Sequence, residues 1–216
     1  MSIPNEVKNI WDFLHGEVIW LHGRWSMYQQ LFGTNEGRID LLNRVAPTYF
    51  GTIQKIQLDE VQLTLSRLGD PAKTGKRANL TLETLVQNIE SLGLSELSQV
   101  LNTHLETFRH RCESIVKRRN TQIAHYDFNT HQAAQSEGLQ SASRQEIEEA
   151  LEALRSFMQT VYDYFEHSYM AYEHFVMHDD AHSVLRIAGE ALRYRDLMES
   201  GVIESTDFVT SGYAKI

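Results

Sequence analysis

Little in this chain staples or interrupts it. A single cysteine, Cys112, excludes a disulfide within the protein, and its place in an apolar pattern reads as a small buried hydrophobe. Only three prolines (Pro4, Pro47 and Pro71) break the chain, while Leu, Glu, Gln, Ala and Arg are plentiful, which favours an all-helical protein. No apolar run reaches membrane-spanning length and no N-terminal stretch reads as a secretory signal, so a soluble, cytoplasmic protein with no membrane partner is expected. Internal repeats and low-complexity tracts are lacking too. So is an excess of positive charge: 20 Lys and Arg against 29 Asp and Glu give a net charge of −9, which excludes a protein that coats nucleic acid non-specifically. What is present is 216 residues, 42% hydrophobic and 23% charged, enough for one sizeable core. We expect one helical domain over residues 1–200, with a short polar tail at 201–216.

Apolar spacing predicts an antiparallel bundle of five to six helices. Trp11, Leu14, Val18, Leu21, Trp25, Tyr28 and Phe32 recur at alternating spacings of three and four, an apolar stripe on a first helix from about Asn5 to Phe32. A second segment runs from about Gly37 to Leu68, and Pro47 should kink or restart it. Gly69-Asp70-Pro71 stops that segment, and a loop carrying Lys73, Lys76 and Arg77 comes next. Thr81 caps a short third helix, and a fourth runs from Ser95 to about Tyr126. Residues 127–142 lack apolar periodicity and read as a mobile loop. Ser143 with Glu146 forms a capping box that opens a fifth helix, reaching about Met177. A sixth covers His182 to Met198.

The fourth helix carries the densest chemistry. Leu101, Leu105, Phe108, Cys112 and Ile115 form its apolar seam, and the next seam position is Arg119, followed by Ile123 and Tyr126. An arginine on a buried stripe costs free energy unless a partner meets its charge. Beside the seam, His104, Arg111, Arg118 and His125 recur every seven residues, with Thr107, Ser114 and Thr121 between them. Each lies only about 20° from its predecessor on an ideal helix. From Arg109 to Arg119 there are five cations (Arg109, Arg111, Lys117, Arg118 and Arg119) against one carboxylate, Glu113. A local basic site on an acidic body fits selective contact with a few phosphates. Arginine holds phosphate through a planar fork of donors and histidine exchanges protons near neutral pH, which suits phosphodiester chemistry on RNA. On spacing alone, a solvated polar face is the competing account.

Arg119-Asn120-x-x-x-Ala124-His125 resembles the R-x(4–6)-H signature of the HEPN superfamily, in which an Asn often follows the Arg. Further segments in the same order resemble the abortive-infection U-type branch of HEPN proteins over roughly residues 5 to 180. They are Val18-Ile19-Trp20-Leu21-His22, Leu31-Phe32-Gly33, Leu41-Leu42-Asn43, Ala46-Pro47, Ser66-Arg67-Leu68 with Asp70-Pro71, and Asn79-Leu80-Thr81-Leu82. The resemblance implies a helical bundle that dimerises with its motif helices facing one another. It also implies a metal-independent endoribonuclease of a phage-defence or toxin system, needing no cofactor. Its partners would be RNA and a second copy of the chain, with an antitoxin as a further candidate.

Carried over residue by residue, Arg119 would hold the scissile phosphate. His125 would act as general base on the 2′-hydroxyl or as general acid on the leaving 5′-oxygen, with the second copy's histidine in the other role. Asn120 would orient the phosphate or the histidine, and Arg118, Arg111, Lys117 and Thr121 would contact the substrate. Products would be a 2′,3′-cyclic phosphate and a 5′-hydroxyl. Arg118 also fits the signature, with six intervening residues; Arg119 is preferred because Asn120 follows it and because it sits on the seam. Some family toxins carry a modified tyrosine two residues after the histidine, whereas this chain has Asp127 there.

Two other readings compete. His167, His174, His178 and His182 would share a face if one helix ran through all four, which is the geometry of a metal site. A catalytically silent HEPN-type module, binding RNA, a nucleotide or a protein, is the alternative to the enzyme. His15 and His22, also seven residues apart, read as structural.

Overall fold

The computed structural model describes residues 3–33, 35–123 and 142–204, and almost all of that chain is helical. Among the described residues there are eight α-helices: α1 (Asn5–Tyr28), α2 (Glu36–Val45), α3 (Pro47–Leu68), α4 (Leu82–Ser91), α5 (Ser95–Arg111), α6 (Glu113–Arg118), α7 (Arg144–Glu166) and α8 (Ala181–Glu199). Wide π-turns continue two of them, Gln29–Gly33 after α1 and Arg119–Ile123 after α6. The fold is all-α, as expected. The count exceeds six because the second and fourth expected helices are each divided, at Ala46 before Pro47 and at Cys112.

The caps arise from short polar side chains at the helix starts, which satisfy backbone donors the helix itself leaves open. Asn35 Oδ1 accepts from the Arg38 N–H at 2.9 Å to open α2, and Thr81 caps α4. Ser143 and Glu146 form the reciprocal box that opens α7, at 3.1 and 2.7 Å. Asp180 accepts from the His182 N–H to start α8.

The chain packs as two compact units, Met1–Trp25 with Gln57–Val176, and Ser26–Ile56 with Met177–Ile216. In the first, α5 packs against α7 and α4. Its core takes Trp11, Leu14, Val18, Leu21 and Trp25 from α1, and the α5 seam at Leu101, Leu105 and Phe108. From α7 come Ile147, Leu151, Leu154, Phe157, Met158, Val161 and Phe165, and all of these are buried. Each such side chain contributes about 1.5–3 kcal/mol on burial, which is what holds helices of ordinary propensity together. In the second unit α2 packs on α8. Leu42, Ala188 and Leu192 are buried there, and Arg44 pairs with Asp196 at 2.9 Å.

The basic loop after α3 closes as a small hairpin of two-residue strands, β1 (Lys73–Thr74) and β2 (Arg77–Ala78), with Lys73 opposite Ala78. Gly75 supplies the left-handed backbone of its turn (φ 62°), and the Asn79 amide ties it down through Pro71 O and Thr74 Oγ1, both at 2.8 Å.

The fifth helix is shorter than its pattern predicts. It ends at Glu166 rather than near Met177, because His167 turns left-handed (φ 49°) and the Gln159 side chain captures the departing chain at Ser168 O and the Met170 N–H. Leaving the helix lets Tyr172, on a short 3₁₀ turn, bury itself completely. The four histidines therefore do not share one helix. The loop expected at 127–142 lies outside the described residues save Ala142, as does the tail from residue 205. No described helix is long and apolar enough to cross a membrane.

Candidate functional site

The basic stretch is carried by α5, α6 and the π-turn after them. The Cys112 N–H is shared between Phe108 O (3.0 Å) and Arg109 O (3.1 Å), while the Val116 N–H bonds to Cys112 O, so the helical path continues across the break. Cys112 itself is buried in the seam, and desolvation pushes its thiol up to about 12. It is a packing residue without thiolate chemistry. The seam ends at Ile115: nothing from Arg119 to Ile123 is buried. A π-turn holds one residue more than an α-turn, so it rotates the succeeding side chains away from the face that a straight wheel assigns.

Both motif arginines meet a carboxylate. Arg118 Nη2 bonds to Asp59 Oδ1 of α3 at 2.6 Å, and both side chains are largely shielded from solvent. The Nε and Nη1 atoms of Arg118 are buried without a hydrogen-bond partner. Arg119 Nη1 bonds to both oxygens of Asp70, at 2.8 and 2.9 Å, and its Nε donates to Asn120 Oδ1 at 3.0 Å. Arg119 is thus held from two sides, and the adjoining asparagine is one of the holders.

The turn that carries Asp70 is itself clamped. Arg109 Nε donates to Gly69 O at 3.0 Å, and Arg109 Nη2 bonds to Glu83 of α4 at 2.9 Å. The same Glu83 carboxylate accepts from the Ala72 N–H at 2.9 Å. That backbone bond, then Arg109, hold its pKa below the usual glutamate range. Gly69 lies against the Phe108 ring, where a Cβ would come within 3.3 Å of Cε1. Arg109, Glu83 and Gly69 therefore position Asp70, and Asp70 positions Arg119.

Of the other expected contacts, Arg111 reaches Glu149 on α7 at 2.7 Å, and the Thr121 hydroxyl donates to Lys117 O at 2.9 Å. The Lys117 side chain is exposed and lines a cleft with Ser66, Gly69, Asp70, Arg109 and Cys112. His125 lies outside the described residues. The structure thus brings Arg119 and Lys117 to the Gly69–Ala72 turn, with Asn120 bonded to Arg119, and ties Arg118 and Arg111 to other helices.

The family model described as AbiU2, a HEPN domain, matches residues 4–184. The chain belongs to the AbiU2 family of HEPN proteins. The ordered segments from α1 to α4 had pointed to this branch, and the match covers the described part of the motif helix. No curated protein and no solved structure matches the chain.

In this HEPN chain no group of three or more His, Cys, Asp or Glu among the described residues is arranged to hold a metal ion. Sequence reading singled out the cations but missed their anchors, Asp59, Asp70, Glu83 and the positioning role of Arg109. Asp70-Pro71 was visible as a helix stop; only its distance to Arg119 across the fold makes it a site residue.

Proposed function

We propose that this HEPN protein is a metal-independent endoribonuclease of a phage-defence or toxin system, working as a homodimer. The carrying observation is Arg119: it opens the π-turn beyond the last buried seam residue, and Asp70 and Asn120 hold its Nη1 and Nε. Those bonds fix the guanidinium while leaving Nη2 as the donor toward a phosphate oxygen, where charge-assisted bonds are strongest. Arg119 holds the scissile phosphate and offsets its growing charge. His125, six residues on, takes the 2′-hydroxyl proton or protonates the leaving 5′-oxygen, and the second copy's His125 does the other. Arg118 and Arg111, already paired, shape the site; Lys117 meets substrate, and Thr121 stays on the helix backbone. HEPN domains commonly dimerise, which supports the composite site. An antitoxin that covers Lys117 and Arg119 would silence it.

A catalytically silent binding module has its own supporting observation, since both candidate arginines already carry a carboxylate. One experiment separates the two. Purified protein is incubated with mixed RNA in chelator, beside Arg119→Ala and His125→Ala. We expect cleavage by the wild type that leaves 2′,3′-cyclic phosphate ends, and a loss of about 100-fold or more in each variant. Equal cleavage by all three discards the assignment, and no cleavage by any assigns the chain to the silent module. Because few phosphates are contacted, cleavage should depend only modestly on salt.

A further inference from the structure

Beside Arg119 lies a cleft of about 440 Å³ between the end of α3, the Gly69–Ala72 turn and the α5–α6 junction. Its size falls within the roughly 300–1,000 Å³ of small-molecule sites. Much of the wall is apolar, from Pro71, Cys112 and Val116. Its polar lining residues are Ser66, Asp70, Arg109, Glu113 and Lys117, and among them the Ser66 hydroxyl is buried and without a hydrogen-bond partner, on a residue with 1% of its surface exposed. A buried hydroxyl left unpaired costs about 1–3 kcal/mol, and a ligand edge with a matching donor or acceptor would recover that. A second wall group, the Arg109 guanidinium, is pinned by Gly69 O and Glu83, so its plane is fixed before any ligand arrives. Asp70 belongs both to this cleft and to the Arg119 pair.

We propose that the cleft receives one unpaired nucleobase of RNA, from the nucleotide adjoining the phosphate on Arg119, with Ser66 as the residue that reads its edge. This rests on the nuclease reading for the phosphate but not for the cleft itself. A phosphate at Arg119 places its own nucleoside within reach of Asp70 and the cleft mouth. Single-stranded RNA is read by splaying bases into such pockets, where guanidinium planes stack on them and polar groups bond to their edges. The pinned Arg109 supplies the plane, the apolar wall excludes water from the ring, and Ser66 Oγ supplies an edge contact. Lys117, at the same cleft, meets the next phosphate.

The test has two arms. In the first, wild type, Ser66→Ala and Val116→Trp are titrated calorimetrically with the four nucleoside 3′-monophosphates and with inorganic phosphate. We expect one nucleotide to bind at least about tenfold tighter than phosphate, Ser66→Ala to lose about tenfold of that, and Val116→Trp to abolish it by filling the cleft. In the second arm the RNA ends from cleavage are sequenced, and Ser66→Ala should flatten the base preference beside the cut while the protein still cleaves. A wild type that cleaves with no base preference, or a preference untouched by either variant, overturns the base pocket and leaves the nuclease standing. Selective nucleotide binding with no cleavage of any RNA supports the cleft and sinks the nuclease. Nucleotide binding beside an unchanged cut-site preference assigns the cleft to a free nucleotide and overturns the RNA assignment.

Discussion

On α1, His22 is buried as a neutral ring; on α6, Arg118 is a charge largely shielded from solvent. His22 has 5% of its surface exposed, its Nε2 makes no hydrogen bond, and it stacks on Tyr172 at 6.0 Å between ring centres. Desolvation lowers its pKa to about 4, with Arg155 pushing the same way and Glu173 opposing. Its heptad neighbour His15 stacks on Trp11 and places Nδ1 2.8 Å from the Tyr172 hydroxyl, and burial lowers its pKa as well. Arginine has no neutral form to retreat to at accessible pH, so Arg118 requires Asp59. Equal sequence spacing thus led to opposite outcomes: aromatic rings can bury a group that sheds its proton, whereas a permanent cation needs an anion across the helix interface.

Four measurements would break or sharpen that contrast. The largest effect should come from Arg118→Met, which takes the guanidinium away from the shielded Asp59 carboxylate and should cost about 4 kcal/mol by denaturant unfolding. Adding Asp59→Leu should return most of it; a double variant as unstable as the single would show that the pair is not what Arg118 supplies. Next is His22. Its folded pKa lies below the unfolded one, so its contribution is complete above about pH 6.5 and is lost as pH falls through about 4. Relative to His22→Phe, the wild type should lose about 3 kcal/mol over that window. Parallel pH profiles for the two proteins would mean that the ring is not buried neutral.

A smaller loss, about 1 kcal/mol, is expected for Tyr172→Phe, which removes the hydroxyl that meets His15. The smallest is Asp70→Asn. Asp70 and Arg119 are more open to solvent than Asp59 and Arg118, and such pairs contribute only about 0.5 kcal/mol. A thermal shift as large as that of Arg118→Met would place Arg119 among the structural residues instead of at a working site.

The helices were legible because their signals are local. The stripe from Trp11 to Phe32, the Ser143–Glu146 box, the Thr81 cap and the Pro47 restart each depend on neighbours within a turn or two, and each stands where the spacing puts it. The extent of α7 was not legible, since the side chain that ends it, Gln159, acts on residues nine and eleven positions later. Trp20 resisted reading for a related reason: it sits off the stripe, half exposed, edge-on to Phe175.

Of the candidate site, composition and spacing picked out the basic segment, and the resemblance of the ordered segments pointed to the family and to the order Arg119-Asn120-His125. The preference for Arg119 over Arg118 rests on the adjoining Asn120, which does hold Arg119, and on a seam position, which the structure leaves unburied. The partners that further distinguish the two arginines are distant in the chain. Asp59 approaches from α3 and Asp70 from a turn held by Arg109 and Glu83, across separations of some fifty residues. Helix periodicity is written in the chain because hydrogen bonds close every four residues. The carboxylate that meets a given guanidinium, and the hydroxyl left unpaired in the adjoining cleft, were decided only when distant helices packed together.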